Sequence, residues 1–365
     1  MVVEPRTVKV NGTPQRTIWT EGDAVCVLDQ TQLPHAVAIR RLETLEHAAT
    51  AIADMWIRGA PLVGVTAAYG VALAMRRDAS DAGLAQALAV LGRTRPTAVN
   101  LQAKLDEMRV GLTPLPPGER ALRAAALAAD MADEDVRVNT ALGAFGLAIL
   151  EAIAQKKGRV EVLTHCNAGW LATVDRGTAT APLYAAQAAG IPLHVWVDET
   201  RPRNQGASLT AWELGEQGIE HTVLVDNAGG HVMQAGRVDV VLVGTDRTTR
   251  DGDVCNKIGT YLKALAARDN DIPFYVALPS SSIDWDIDAR AIPIEERDGR
   301  EVSHVSGLTD DGRTETVRVT PRASRVHNPG FDVTPARLVT GLITERGVAE
   351  ASRAGLSRLF PEHAS

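Results

Sequence analysis

The sequence predicts an α/β chain: a small N-terminal β-cap plus a helical domain, followed by a Rossmann-like domain with a mostly parallel sheet. Three observations carry this. Residues 1 to about 30 contain short β-like alternations, and Leu42 to Ala154 is rich in Ala and Leu at helical spacing. After Lys156-Lys157-Gly158, apolar strand-like runs alternate with helical ones, the pattern of repeated βα units. The division expected is residues 1–155 for the cap and helices and 156–365 for the sheet domain; 365 residues suit about two domains.

In the cap, Thr7-Val8-Lys9-Val10, Thr17-Ile18-Trp19 and Ala24 to Leu28 read as strands, with Asn11-Gly12 as a hairpin turn. The helical stretch is punctuated by Gly59, Pro61, Pro96 and the cluster Pro114 to Gly118. Four strand–helix alternations and a fifth strand follow. The strands are Val160–Thr164, His194–Val197, His221–Val225, Val238–Val243 and Pro273–Ala277; the helices begin near Gly177, Gly206, Gly229 and Asn256. Asp310 to Thr316 reads as an exposed turn.

Apolar residues at 45% and charged residues at 23% are an ordinary globular composition, so no disordered or fibrous class applies. A net charge of −7 argues against a dedicated nucleic-acid partner. Three dispersed cysteines give neither a disulfide framework nor a CxxC pair, and no two histidines stand at ligand spacing, so no metal is expected. The first residues lack the apolar segment of a signal peptide, and the uncharged run Thr140 to Leu150 is too short to span a bilayer. The expectation is a cytoplasmic protein with no membrane partner.

Ligands of an open α/β sheet bind outside the carboxyl ends of its strands. Those ends here read His165-Cys166-Asn167-Ala168-Gly169, Asp198-Glu199-Thr200-Arg201-Pro202 with Gln205-Gly206, Asp226-Asn227-Ala228-Gly229, Gly244-Thr245-Asp246-Arg247 and Pro279-Ser280-Ser281-Ser282. Five polar ends on apolar strands predict a site. Cys166 reads either as a buried small hydrophobe or as a reactive thiol. Asp246 reads either as a turn cap or as a carboxylic acid raised in pKa by an apolar pocket. Asn256 and Lys257 read as opening the helix that runs to Arg268, where an amide, an ammonium and free N–H groups would seat a phosphate; the alternative for Lys257 is a solvated surface lysine. Cys255 reads as packing. Arg58-Gly59-Ala60-Pro61 forms a second anion loop ahead of a helix, and Arg95 adds a third cation, so the helical domain would close over the crevice. Neither G-x-G-x-x-G nor a P-loop follows the first strand, so no cofactor is expected. The reading is chemistry on a phosphorylated small molecule.

These segments, together with Thr97 to Leu101, Ile292 to Arg297 and Asn328 to Pro335, resemble the methylthioribose-1-phosphate isomerase family, of the same superfamily as the regulatory subunits of a translation-initiation nucleotide-exchange factor. The resemblance implies an aldose–ketose isomerase of methionine salvage acting as a homodimer. It implies Asp246 as proton donor, Cys166 as the second catalytic group, and Arg58, Gly59, Ala60, Arg95, Gln205, Asn256 and Lys257 as substrate ligands. The chain departs from the family's pattern at Thr245, Trp170, Cys255 and Thr180-Ala181-Pro182, none of them a residue of the expected acid, thiol or phosphate set. Alternatives are 5-deoxyribose-1-phosphate or ribose-1,5-bisphosphate isomerisation, or a non-catalytic regulatory subunit of the same fold. A bisphosphate would need a second cationic cluster; the only basic pair at another strand end, Arg201 and Arg203, reads as pairing with Glu199, while Trp56 and Trp170 read as suiting a thioether.

Overall fold

The computed structural model describes residues 8–95 and 99–363. The turn expected at Pro96-Thr97-Ala98, the first residue of the Thr7 strand and the leader reading of residues 1–6 lie outside the described residues.

The cap begins with β1 (Lys9–Val10) and β2 (Thr13–Pro14), an antiparallel hairpin. Its turn is Asn11-Gly12 as expected, with both residues at positive φ (50° and 79°), the backbone that matches the twist of the flanking strands. The strands β3 (Ile18–Glu21), β4 (Ala24–Leu28) and β5 (Ile39–Leu42) form a three-stranded antiparallel sheet. β5 is an element the sequence reading missed: three of its four residues are exposed and two are arginines.

Five helices follow: α1 (Leu45–Ala53), α2 (Ala60–Arg77), α3 (Asp81–Gly92), α4 (Val99–Leu112) and α5 (Pro117–Lys157). α2 starts with Pro61 in its first turn and is buried on nearly every side, so its small residues pack against the other helices. α5 runs for 41 residues, about 60 Å, and ends at Gly158, whose φ of 78° closes the helix with an N–H bond to Ala154 O at 2.7 Å. One stretch of α5 is long and apolar enough to cross a membrane. Of that stretch 28% is buried. Along the helix, Leu142 and Leu150 are buried with the sheet strands, and Ala124, Ala128 and Met131 with the other helices.

The main sheet comprises β6 (Val160–His165), β7 (Leu193–Asp198), β8 (His221–Leu224), β9 (Val240–Val243), β12 (Phe274–Ala277), β17 (Gly341–Thr344) and β18 (Gly347–Ala349). Its order is β18-β17-β12-β9-β6-β7-β8, parallel throughout except for the edge strand β18. The mostly parallel sheet is as the sequence predicts; β17 and β18 extend it beyond the five strands expected. β9 shows why such strands are continuously apolar. Val240 and Leu242 pack on the face covered by α5, α6 (Ala181–Ala188) and α7 (Ala211–Glu216), whereas Val241 and Val243 pack on the face covered by α8 (Gly229–Gln234) and α9 (Thr260–Asp269).

A second sheet was not foreseen: β10 (Arg247–Thr249), β11 (Val254–Lys257), β13 (Ile283–Asp284) and β16 (Phe331–Thr334) in the order β13-β10-β11-β16. Its strands are only two to four residues long, too short for an alternation to stand out in the sequence. The supposed turn Asp310 to Thr316 is part of a hairpin, β14 (His304–Leu308) and β15 (Thr314–Arg318), whose second strand is exposed along its whole length.

The helical part is tied to the loop after β6. Thr17 N–H donates to Val174 O at 3.1 Å, and Val174 N–H donates to Asp135 of α5 at 2.7 Å. Burial pushes the Asp135 carboxyl up to about 7. In the unfolded chain it ionises near ~4. Between these values the folded state holds the extra proton, so this group makes stability fall as pH rises. Asp135→Asn should remove that slope: the difference in melting temperature between variant and parent should grow from about pH 4 to about pH 7, read by calorimetry. A constant difference across that window would contradict it.

Candidate active site

From β6 the chain steps outward to β7 and β8 on one side, then returns to place β9, β12 and β17 on the other. The order therefore switches between β6 and β9, and a crevice opens at their carboxyl ends. β6 ends at His165 with Cys166 next; β9 ends at Val243 with Gly244-Thr245-Asp246 next. The two groups expected to do chemistry thus leave neighbouring strands at the switch point.

Cys166 is buried and left-handed, with φ 62°. A non-glycine residue there costs roughly 1–3 kcal/mol, which neighbouring contacts must offset. Its N–H donates to Thr200 Oγ1 at 2.8 Å, its carbonyl accepts from Thr210 Oγ1 at 2.6 Å, and its Sγ lies 3.3 Å from Gln205 Oε1. Burial pushes the thiol up, while the Arg58 and Lys257 charges pull it down and the Asp246 carboxylate opposes them. The cysteine is packed, and it also stands among charges in a strained conformation.

Asp246 is half-buried, its N–H donating to Cys255 O at 3.0 Å across to β11. The Thr245 hydroxyl lies 2.7 Å from Arg247 O and 2.8 Å from Cys255 O, giving that departure from the family pattern a structural use. Around Asp246 is a cavity of about 60 Å3 lined by Gly59, Ala60, Val63, Arg95, Glu295 and Phe331 among others. The surroundings are mixed rather than apolar throughout. Cys255 lines this cavity as well as packing, and burial pushes its thiol up to about 12.

Asn256 and Lys257 are placed differently from the expectation. They belong to β11, not to a loop opening a helix. α9 begins at Thr260, after Gly259 at φ 100°. Its N-terminus is already satisfied, since Gly259 and Tyr261 N–H groups donate to Asp332 at 2.7 and 3.2 Å. The Asp332 carboxylate thus takes two of the N–H groups at the helix end where the sequence placed a phosphate. Lys257 is nonetheless buried, not a solvated lysine: its Nζ donates to Gly330 O at 3.0 Å and stands 4.5 Å from the Phe331 ring centre. Burial pulls its ammonium down, and Cys166 and Asp246 hold it up. Asn256 is buried, with its amide donating to Thr260 Oγ1 at 3.0 Å.

The Arg58 guanidinium donates to Asn167 O at 2.6 Å and to its Oδ1, bringing the Arg58-Gly59-Ala60 loop against the end of β6. Gly59, at φ 92°, has Ala172 O only 2.4 Å from where a Cβ would lie, so no other residue fits this approach. Arg95 faces Asp246 and Glu295; burial pulls it down and those carboxylates hold it up. Arg58, Arg95, Lys257, Cys166 and Asp246 therefore converge, and Arg58 also borders a larger cavity of about 550 Å3 with Gln205. Ligand pockets run to ~300–1,000 Å3, so the larger cavity suits a ligand and the smaller one alone does not.

Sequence reasoning missed Arg297, which the Arg95 and Lys257 charges sense and which is held by Glu301 at 2.8 Å. It lies in the Ile292 to Arg297 segment, a signal that was visible but unassigned. Glu213 carried no signal: in a helical run it reads as solvated, yet it is fully buried and accepts from Trp170 N, Leu171 N, Asn167 Nδ2 and Tyr184 OH. Two other expectations fail. Arg201 donates to Pro202 O and Val302 O, and Arg203 pairs with Glu301, so neither pairs with Glu199. Trp170 is fully buried against Trp212, and Trp56 stacks under Arg40; neither lines the two cavities, and Leu33, Met55 and Leu209 supply apolar lining instead.

Comparison with known proteins gives one family. The profile of the initiation factor 2 subunit family matches residues 56–351. The methylthioribose-1-phosphate isomerase of Paramagnetospirillum magneticum is 63% identical over 98% of this chain and 100% of its own length. The crystal structure of 5-methylthioribose 1-phosphate isomerase from Pyrococcus horikoshii OT3 is 38% identical, with TM-score 0.84 over 95% of this chain and 96% of that one. Translation initiation factor eIF-2B subunit delta from A. fulgidus is also 38% identical, with TM-score 0.81 over 95% and 99%. Fold and moderate identity are thus common to both kinds of protein, and the high-identity relative separates them: the chain belongs to the initiation factor 2 subunit family, in its methylthioribose-1-phosphate isomerase branch.

Proposed function

We propose that the protein converts 5-methylthioribose 1-phosphate to 5-methylthioribulose 1-phosphate, an aldose–ketose isomerisation in methionine salvage. The observation that carries the reading is the convergence of Cys166 and Asp246 at the β6/β9 switch point within a ring of buried or half-buried cations. Phosphate on C1 locks the sugar ring, so an acid must protonate the ring oxygen before the C1–O bond opens. Asp246 is the proton donor. Hydrogen then moves from C2 to C1 while the C2 hydroxyl gives up its proton, which returns to the Asp246 carboxylate and leaves a carbonyl at C2. Cys166 either takes the C2 proton as thiolate and an enediol-type intermediate is reprotonated at C1, or it stabilises a direct hydride shift. Arg58, Gly59, Ala60, Arg95, Gln205, Asn256 and Lys257 hold the substrate, with no cofactor. An incoming phosphate dianion would favour the charged Lys257 that burial disfavours. Because the cavity beside Asp246 is small, the loop bearing Gly59 and Ala60 has to shift as substrate enters, joining it to the larger space.

Two further points support the reading. Arg201 and Arg203 line the larger cavity but are engaged by protein carbonyls and Glu301, so a second phosphate there would have to compete with those partners. Cys166 and Asp246 are both in place, which a purely regulatory subunit would not need. The furrow lined by Phe145, Ile149, Ile153, Tyr275 and Val348 is an apolar face that a second copy in a homodimer would cover. Three free cysteines fit a reducing cytoplasm.

Incubating the purified protein with 5-methylthioribose 1-phosphate and following 13C resonances tests the reaction: a ketone signal at C2 should grow at the expense of the anomeric C1 signal. An unchanged spectrum at high enzyme concentration would refute it. Binding and chemistry should also separate. Lys257→Ala and Arg58→Ala should each weaken substrate and inorganic phosphate binding by roughly 1.5–3 kcal/mol, about 10- to 150-fold, through loss of a charge-assisted contact. Calorimetric titration with phosphate checks this, and unaltered affinity in both variants would move the phosphate elsewhere.

A further inference from the structure

Beneath the reactive groups lies a buried polar cluster that the proposed chemistry does not use. His165 is completely enclosed. Its Nδ1 is 2.7 Å from Asp198 Oδ2, and its Nε2 is 2.9 Å from the carbonyl oxygen of Ile258. Asp198 in turn meets Lys263 Nζ at 3.1 Å, and Lys263 meets Asp226 at 2.8 Å. Asp332 also acts on His165 and Lys263, from the side of β16. The charged groups around the imidazole are therefore Asp198 from β7, Lys263 from α9, Asp226 after β8 and Asp332 from β16. The carboxylate at Nδ1 and the carbonyl at Nε2 hold the ring at both nitrogens, and since both oxygens are acceptors the two contacts are hydrogen bonds together only when both nitrogens carry hydrogen.

The sequence neighbours of these two contacts give the cluster its meaning. His165 immediately precedes Cys166, and Ile258 immediately follows Lys257. The imidazole thus spans from the end of β6 to the end of β11, one residue away from the thiol on one side and from the ammonium on the other. Two details show that the backbone is shaped around it. Gly259 at φ 100° would place a Cβ 3.1 Å from His165 Cε1, so the ring leaves little room for a side chain there. Thr200, itself left-handed at φ 66°, accepts from Cys166 N–H and donates to Asp198 O at 2.8 Å, so the strained thiol loop is anchored on the same carboxylate residue.

We infer that His165 is a positioning residue that locks the Cys166 thiol against the Lys257 ammonium by joining the ends of β6 and β11. The inference rests on the isomerase reading for its consequence in turnover, but the geometry it sets exists without substrate. An ammonium held close favours the thiolate, and small displacements of reacting groups are costly: about 1 Å can lose about 100-fold in rate.

The test compares two amides. The Nδ2 of an asparagine overlays imidazole Nδ1 and keeps only the Asp198 contact, whereas the Nε2 of a glutamine overlays imidazole Nε2 and keeps the Ile258 contact. In substrate-free protein, thiolate absorbance near ~240 nm, taken as the difference from Cys166→Ala, reads the Cys166 titration. His165→Asn should move the midpoint up by about one pH unit and lower kcat about 10-fold or more, with KM changed less than about 3-fold; His165→Gln should recover both to within about 3-fold of the parent. An unmoved thiol midpoint in folded His165→Asn, or equal effects of the two amides, would overturn the proposal. If His165→Asn does not fold, a thiol midpoint in His165→Gln shifted by about one unit or more would also overturn it, and a midpoint at the parent's value would support it. The absorbance titration needs no turnover, so absence of isomerase activity would count against the function without deciding the positioning.

Discussion

Asp246→Asn should lower kcat by about 100-fold or more and leave folding nearly unchanged. The amide has the carboxyl's shape but cannot give a proton to the ring oxygen, and general-acid contributions run to ~10²–10⁴-fold. Little stability is at stake because Asp246 is half-buried and its backbone bond to Cys255 O survives the change. The amide is the neutral isostere of the carboxylic acid that donates the proton, so Arg95 and Lys257 keep an uncharged neighbour of the same shape and phosphate binding should change little. The signature is therefore a loss in kcat with little change in KM, measured at the parent's pH optimum. Turnover within a few-fold of the parent would remove Asp246 from the mechanism.

Cys166→Ala should be comparably severe, lowering kcat by about 10²-fold or more whether the thiol moves a proton or stabilises a migrating hydride. Alanine keeps the β-carbon and hence the φ of 62°, so the loop's strain is unchanged and only the Sγ contact to Gln205 is lost. Solvent isotope then divides the two mechanisms. Turnover of the parent protein in D2O should place deuterium at C1 of the product if the thiol exchanges with solvent, whereas hydride migration leaves C1 protiated. Full activity in Cys166→Ala would contradict both versions.

How much of this was legible depended on what each segment's residues had to satisfy. β6, β7, β9 and β12 are buried on both faces and must be apolar, so their runs stood out, and the switch-point site followed from what comes after them. β17 and β18, by contrast, were missed though β17 is as buried as the others: Gly341-Leu342-Ile343-Thr344 holds only two large apolar residues and leads straight into β18, so it carries no βα rhythm. The second sheet was harder still. Arg247-Thr248-Thr249 and Val254 to Lys257 are strands because they pair with each other, the first also with β13 and the second with β16 more than seventy residues away, a long-range condition that local pattern does not encode. That pairing moved Asn256 and Lys257 from a helix end to a strand, and Asp332, arriving with β16, filled the helix terminus thought to await phosphate. The cations themselves still reached the crevice: Lys257 by way of β11, Arg58 by its bonds to Asn167. Glu213 and the His165 cluster were invisible because buried polar groups are recognised by their partners, and those partners come from distant parts of the chain.

The central claim is the substrate, and side-by-side kcat/KM values for three sugar phosphates test it most directly. A dianion at C5 would have to be desolvated where Arg201 and Arg203 are already bound to protein acceptors. The larger cavity is lined mainly by polar groups, Arg58, Arg201, Arg203 and Arg300 among them, and Leu33, Met55 and Leu209 form the apolar part that a methylthio group can cover. The account predicts that 5-methylthioribose 1-phosphate is turned over at least ~10-fold more efficiently than ribose 1,5-bisphosphate, about 1.4 kcal/mol at the transition state, with 5-deoxyribose 1-phosphate between them. A higher kcat/KM for ribose 1,5-bisphosphate would contradict it.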